Sequence, residues 1–149
     1  MTIDVVVQNV SSLSAVPSAV QFEQWAAAAL SGQGETELTI RLVDSEESQQ
    51  LNERFRQQCK PTNVLSFPAD LPQAINLPLL GDIVICAPLV ESEAKEQNKS
   101  PTAHWAHLTI HGILHLMGYD HQTDEEAAEM EALEIGIVRS LGFPDPYQS

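Results

Sequence analysis

The sequence predicts an α+β domain in which helices pack on a small mixed β-sheet, with an α/β arrangement as the alternative. Three observations lead to this prediction. Short β-branched segments alternate with helix-start signals up to about residue 87, and beyond that point the pattern is helical. The 149 residues fit one domain, 1–149, with no repeat or linker that would divide it. A hydrophobic fraction of 43% in a chain of this length supports a core that needs neither metal nor disulfide to fold.

Strand patterns occur in four segments. Residues 3–7 are rich in β-branched side chains, and residues 38–43 (LTIRLV) alternate apolar and polar positions. Residues 61–68 (PTNVLSFP) form a short apolar strand bounded by prolines, and residues 81–87 (GDIVICA) are typical of a buried strand. The proline-containing segment 69–79 between them predicts a loop.

Helix start and stop signals predict five helices. Their expected ranges are 17–32, 44–55, 87–97, 100–117 and 123–142. Ser100 followed by Pro101 is an N-cap and first-turn pair, and Gly118 ends that helix. Two of the other helices begin with predicted capping boxes, namely Asp44 with Glu47 and Thr123 with Glu126.

The composition excludes several classes of function. A net charge of −14 argues against indiscriminate coating of nucleic acid, although Arg54, Arg56 and Lys60 form a local basic segment that could bind phosphate. Two cysteines are too few for a thiolate zinc site or a disulfide framework. No signal peptide and no membrane span is recognisable, so we expect a cytoplasmic protein without a membrane partner.

All five histidines lie between positions 104 and 121. His111 and His115 are one helical turn apart, about 6 Å, so that both imidazoles can bind one ion. Gly118 allows the chain to turn back, which would bring His121 to the same ion as a third ligand. Three protein ligands leave a fourth position for water, the arrangement of a catalytic zinc site.

The spacing H-x-x-x-H-x-x-G-x-x-H is that of the metzincin metallopeptidases, but one position differs. Those enzymes carry a glutamate general base directly after the first histidine, and this chain has Gly112 there. Peptide hydrolysis needs that base, so a peptidase is disfavoured. A phosphodiester, which the metal can polarise directly, is a better candidate substrate.

The roles of three neighbouring residues stay open. His107 is expected either to contact a ligand or the substrate, or to be a polar residue on the back of the helix. For His104 the second interpretation is favoured. Asp120 could orient an imidazole or take part in proton transfer, or it could stabilise the turn. Trp105 is predicted to belong to the core.

Several motifs resemble those of the YbeY family of bacterial rRNA maturation factors. The segment HGILHLMGYDH at 111–121 resembles the family signature. The other matching segments are LNERFR at 51–56, PTNVLSFP at 61–68, GDIVIC at 81–86 and AHWAH at 103–107. Together they cover most of the chain from about residue 40 to the end.

The resemblance implies a zincin-like fold and a single-strand-specific metallo-endoribonuclease. That enzyme would act in 3′-end maturation of small-subunit ribosomal RNA and in ribosome quality control. The implied ligands of one zinc ion per chain are His111, His115 and His121, and Arg56 is the functionally important arginine. The implied partners are single-stranded ribosomal RNA, the ribosome and ribosomal proteins.

The residues themselves agree with an RNA substrate. The guanidinium of Arg56 offers a fixed fork of donors that suits a phosphate, and Lys60 could extend the contact. Many relatives carry aspartate where this chain has Cys59, so the handling of substrate near Arg56 is expected to differ if that aspartate takes part. Cys59 itself is predicted to be a packing residue.

Two alternatives to the nuclease remain. One is a ribosome-assembly factor that contains zinc but does not cleave RNA, which the acidic composition favours. The other is a metallopeptidase, which the ligand spacing suggests and Gly112 opposes.

Overall fold

A four-stranded mixed sheet forms the centre of the structure, a computed structural model that describes residues 3–31, 33–69 and 79–147. The strands are β1 (Ile3–Asn9), β2 (Thr36–Val43), β3 (Val64–Pro68) and β4 (Leu79–Cys86). Their order is β1-β2-β4-β3, with β1, β2 and β4 parallel and β3 antiparallel to β4. This mixed sheet confirms the predicted α+β class and leaves β3 as an edge strand.

Five helices surround the sheet. They are α1 (Ala19–Ala29), α2 (Ser45–Arg56), α3 (Ala87–Glu96), α4 (Pro101–Leu116) and α5 (Asp124–Ser140). Helix α4 contacts the sheet at β3 and β4 and also contacts α1, α3 and α5, which makes it the central helix of the fold. No helix among the described residues has both the length and the hydropathy to cross a membrane.

The alternation of side chains along the strands gives the sheet two apolar faces of unequal size. The larger core contains Leu38, Ile40 and Ile83 from the strands, together with α1, α4 and α5. The smaller one lies on the opposite face, where Val43 and Val84 pack with side chains of α2. The buried face of α4 therefore belongs to the main core, and α2 packs on the opposite face of the sheet.

Helix α1 and strand β4 begin at other residues than the sequence predicts. Helix α1 begins after Ser18, which forms a full capping box with Gln21, and not at Pro17. The predicted end at Gly32 lies outside the described residues, as does most of the predicted loop 69–79. Strand β4 begins at Leu79, two residues earlier than predicted, because it pairs with β2 from that point.

The predicted capping box of α2 is wrong. Asp44 occupies the N-cap position, but its carboxylate accepts hydrogen bonds from the backbone N–H of Ser12 (2.9 Å) and from the Ser12 hydroxyl (3.0 Å). Glu47 pairs with Arg41 of β2 at 2.7 Å. Tertiary contacts therefore use both carboxylates, and they connect α2 to the sheet instead of closing its own first turn.

Gly81 makes the close approach of β3, β4 and α4 possible. It has a φ of +147°, and a Cβ there would lie 2.4 Å from the carbonyl oxygen of Phe67 and 2.9 Å from the side chain of Leu116. Any larger residue would therefore push apart the strands and the end of α4 that form one wall of the site described below.

We predict that Gly81→Ala lowers the free energy of unfolding by about 2 kcal/mol or more, because it combines a disfavoured φ with a backbone clash. Urea unfolding followed by circular dichroism measures the change. Gly136→Ala in α5 is the control, since no atom lies within 4 Å of the added Cβ; it should leave stability unchanged or raise it by about 0.5–1 kcal/mol. Wild-type stability in Gly81→Ala would contradict this account of the packing.

Candidate metal centre

The C-terminal half of α4 positions two histidines. Ser100 caps the helix by accepting a hydrogen bond from the N–H of Ala103, and the apolar side chains of α4 are buried on the sheet and on α5. His111 and His115, one turn apart, are only partly buried and lie at the open end of this packing. Their Nε2 atoms are 3.1 Å apart.

A tight turn brings the third histidine back to this pair. Helix α4 ends at Leu116, and Gly118 has a φ of +104°, a conformation that reverses the chain at little cost only for glycine. The N–H of Gly118 donates to the carbonyl of His115 (3.0 Å), and the chain then returns to His121. The imidazole centroids of His115 and His121 are 5.1 Å apart.

The three imidazoles have the arrangement of a metal site. Each of His111, His115 and His121 offers a ring nitrogen, and these atoms all lie within 4.8 Å of one another. Nitrogen ligands about 2.1 Å from a tetrahedral ion are about 3.4 Å apart, close to the 3.1 Å between the first two Nε2 atoms. The donor set therefore fits a divalent ion that prefers nitrogen ligands.

The protonation of the site also suits a metal. Burial lowers the pKa of His115, and the neighbouring imidazoles of His111 and His121 lower it further. At neutral pH this favours the neutral ring, which is the form that binds a metal.

A buried carboxylate contacts the back of the first ligand. Glu134 of α5 is fully buried, and its Oε1 is hydrogen-bonded to Nδ1 of His111, the ring nitrogen that faces away from His115. Its Oε2 is hydrogen-bonded to Nε2 of His107 (3.0 Å) and to the hydroxyl of Tyr147. Burial would raise the pKa of Glu134, but these hydrogen bonds outweigh it and lower the pKa to about 2. The residue is therefore ionised at neutral pH.

His107, His111 and Glu134 also form a second group with ligand atoms close enough to hold a metal. In the structure these atoms are already joined by hydrogen bonds, and Glu134 has no oxygen without a donor. We therefore interpret this second group as a support for the three-histidine group.

The sequence did not reveal Glu134 or Tyr147. Glu134 lies in the buried stripe of α5, four residues from both Met130 and Val138. A carboxylate in the middle of an apolar stripe was the available signal. No local sequence pattern indicated a role for Tyr147, because only the fold brings residues 141–147, the C-terminal segment, to α4.

The remaining residues named from the sequence take varied positions. Trp105 is 1% exposed, which confirms that it belongs to the core. His104 is buried away from the three histidines and contacts Glu93 (2.9 Å). Asp120 accepts a hydrogen bond from the backbone N–H of His121 (2.8 Å), which is a turn-stabilising contact and not a contact to an imidazole ring.

Gly112, the position at which a metzincin carries its glutamate, is tightly packed against the sheet. A Cβ on Gly112 would lie 3.1 Å from the side chain of Ile83 and 3.3 Å from the hydroxyl of Ser66. The Ser66 hydroxyl also donates to the carbonyl of Gly112 (3.0 Å). A glutamate at this position would press on the sheet, so the structure departs from the metzincin pattern in space as well as in sequence.

The three histidines open into a cleft of about 820 Å³. One wall is the edge strand β3 with the segment that precedes it, and the other is the turn between α4 and α5. Polar residues dominate the lining. The described residues that contribute are Asn52, Arg56, Gln58, Lys60, Thr62, Asn63, Val64, Leu65, Ser66, Pro68, His111, His115, Gly118, Tyr119, Asp120, His121 and Gln122.

Arg56 and Lys60 therefore share the cleft with the histidines, although they are more than 50 residues away in sequence. Buried polar side chains of α2 hold their segment in place: Asn52 donates to the carbonyl of Lys60 (2.8 Å), and Ser48 exchanges hydrogen bonds with Thr62. Cys59 in the same segment is exposed, so its predicted packing role is wrong.

We predict that the purified chain binds about one zinc ion, and that His111→Ala and His121→Ala each abolish this binding. The loss should exceed the roughly 10–100-fold reduction typical of removing only an outer hydrogen-bond partner. Elemental analysis after dialysis measures it. His104→Gln, which removes an imidazole from α4 outside the cluster, should keep the metal; equal loss in His104→Gln, or metal retained in both alanine variants, would exclude the three-histidine site.

Comparison with known proteins agrees with this geometry. A model of the endoribonuclease YbeY family matches residues 7–142. Among solved structures, the solution structure of TM1509 from Thermotoga maritima is similar, with a TM-score of 0.60 and 27% sequence identity. That similarity covers 99% of this chain and 100% of the other. The matched range spans the three histidines, the arginine of the cleft and the buried glutamate, and the chain belongs to the endoribonuclease YbeY family.

Proposed function

We propose that this chain is a zinc-dependent endoribonuclease that cleaves single-stranded RNA, and that it acts in 3′-end maturation of small-subunit ribosomal RNA and in ribosome quality control. Membership of the family gives the general part, an endoribonuclease of rRNA maturation. The observation that supports metal-dependent cleavage of RNA is the common cleft, which is lined by the three histidines and by Arg56.

The metal site would be held by His111, His115 and His121. A zinc ion bound there supplies Lewis acidity, which activates phosphate and water at neutral pH. The remaining contributions come from side chains of the chain itself.

Arg56 is placed to bind the phosphate of the RNA backbone. It is the last residue of α2, and Gln57 follows it in a left-handed conformation that turns the chain into the cleft wall. Its guanidinium can donate two parallel hydrogen bonds to a phosphate, and these are stronger than neutral ones. Lys60 adds a second positive charge along the same wall.

The cleft suits an unpaired strand. It lies along the edge strand β3, and the backbone of a single strand can enter it without separation of a duplex. Asn63 and other polar residues of the wall offer hydrogen bonds to sugar or base. These features support specificity for single-stranded RNA.

The overall charge supports a ribosomal setting. With 21 acidic and 7 basic residues, most of the surface repels RNA, so binding depends on the few cations of the cleft. An acidic body can also contact basic ribosomal proteins, which we propose as partners on the cytoplasmic ribosome.

The two alternatives explain less of the site. A non-cleaving assembly factor could use the acidic surface, but it needs no open position among three imidazoles beside an arginine. A peptidase would need a general base after the first histidine, and Gly112 is packed on Ile83 instead.

We predict that Arg56→Ala lowers kcat/KM for a single-stranded ribosomal RNA fragment about ten- to a hundredfold, as expected for losing charge-assisted hydrogen bonds to phosphate. Arg54→Ala is the matched control. Arg54 carries the same charge on the same helix, but it lies over the ring of Phe55 at 5.3 Å and is not among the described residues of the cleft.

The control should retain activity within about threefold of wild type, because it removes only a surface charge. Equal loss in both variants would mean that general electrostatic attraction, and not binding in the cleft, explains the effect. Absence of RNA cleavage by the metal-loaded wild type, with normal association with the small subunit, would favour the assembly factor.

A further inference from the structure

Glu134 is a buried carboxylate that contacts the metal centre without belonging to the three-histidine group. Glu134 has an exposed fraction of 0%, and no lysine or arginine is paired with it among the described residues. A lone buried carboxylate is costly, so its position has to be stabilised by donors. Three donors surround it, and one of them is the ligand His111.

The hydrogen bonds determine which nitrogen of His111 carries the proton. The two oxygens of Glu134 contact three groups that can donate, and a carboxylate surrounded in this way accepts from each of them. The contact between Glu134 Oε1 and Nδ1 of His111 therefore requires the proton on Nδ1. The lone pair then lies on Nε2, the atom that is 3.1 Å from Nε2 of His115 and faces the cleft.

The other two donors hold the carboxylate itself. His107 donates from Nε2 to Glu134 Oε2 at 3.0 Å, and the Tyr147 hydroxyl donates to the same oxygen. The rings of His107 and Tyr147 also pack edge to face, with centroids 5.3 Å apart. Both carboxylate oxygens are therefore occupied, and the carboxylate cannot rotate without losing a buried hydrogen bond.

The C-terminal segment closes this network from outside. Tyr147 lies beyond α5, and the preceding carbonyl, that of Pro146, accepts a hydrogen bond from Lys99 Nζ at 2.6 Å. This contact ties the segment to the start of α4, the same helix that carries His111. This segment is thereby connected to the metal centre through two side chains, Tyr147 and Glu134.

We propose that Glu134 is a positioning residue that holds His111 in the one tautomer and ring orientation able to bind metal, and that Tyr147 fixes Glu134 for this purpose. The inference rests on the proposed metal centre but extends it to residues outside the cleft. It makes metal affinity depend on α5 and on the C-terminal segment, neither of which supplies a ligand.

The experiment compares Glu134→Gln and Tyr147→Phe with wild type by zinc affinity, using competition with a chelator. Glu134→Gln should weaken zinc binding about 10–100-fold, the range typical for such partners of a metal-bound histidine. Tyr147→Phe should weaken it in the same direction but less. Glu129→Gln is the matched control, since it removes the same charge from an exposed position of the same helix and should bind as wild type does.

A second readout separates positioning from a purely structural role. Imidazole ¹⁵N spectra of the intact chain, recorded with and without added zinc, report which ring nitrogen of His111 is protonated. Wild type and Glu129→Gln should show the proton on Nδ1. Glu134→Gln should show a mixture of tautomers or the proton on Nε2 before zinc is added.

The outcomes distinguish this inference from the proposed function. Zinc affinity in Glu134→Gln equal to that of Glu129→Gln, with the proton still on Nδ1, would overturn the inference even if RNA is cleaved. Failure of the wild type to bind zinc would overturn the proposed function. The ¹⁵N spectra would then still show whether Glu134 determines the tautomer of His111. If Glu134→Gln does not fold, Tyr147→Phe decides alone: weaker binding supports the inference, and unchanged binding overturns it.

Discussion

The burial of α4 is the constraint on which the site depends. This helix lies between the sheet and α5, and its N-terminal half is fixed by core residues such as Trp105 and Leu108. A helix held in this way cannot rotate, so His111 and His115 emerge at a fixed place where the packing ends. The close contact with the sheet requires glycine at Gly81 in β4 and leaves little room for a side chain at Gly112 in α4. The same contact closes the position at which a metallopeptidase would carry its general base.

The site combines contributions from both faces of the sheet. Helix α4 brings His111 and His115 from the main core, and α2 brings Arg56 from the opposite face. They meet at β3, because this strand is at the edge of the sheet and leaves the space beside it open. An antiparallel edge strand in an otherwise parallel sheet thus creates the cleft. The arrangement places positive charge and metal ligands in one opening on a body whose net charge is −14.

Much of this could be predicted from the sequence, because the signals were local. The period of the histidines on α4 and the glycine after it predicted which side chains would converge, and the β-branched runs predicted the strands. The prediction failed where the structure depends on long-range contacts. Asp44 and Glu47 had the spacing of a capping box, but Ser12 and Arg41 bind them instead.

The role of Glu134, whose carboxylate contacts the ligand His111, was not predicted for the same reason. Glu134 and Tyr147 join the site only through the packing of α5 and of the C-terminal segment on α4, and no spacing rule connects positions 107, 134 and 147. Cys59 was assigned to packing by residue type, but the segment that carries it is held by hydrogen bonds of Ser48 and Asn52 and leaves the thiol exposed. Local patterns identified the ligands, whereas the groups that support them required the fold.

The most direct test of the account is a stoichiometric zinc titration of the metal-depleted chain, with cleavage of a single-stranded ribosomal RNA fragment as the measured rate. We predict that the rate rises linearly, reaches its plateau at one zinc per chain, and stays at background when the titrated chain is His111→Ala. A full rate before zinc is added, or an equal response in His111→Ala, would contradict the claim that the three histidines form the catalytic centre.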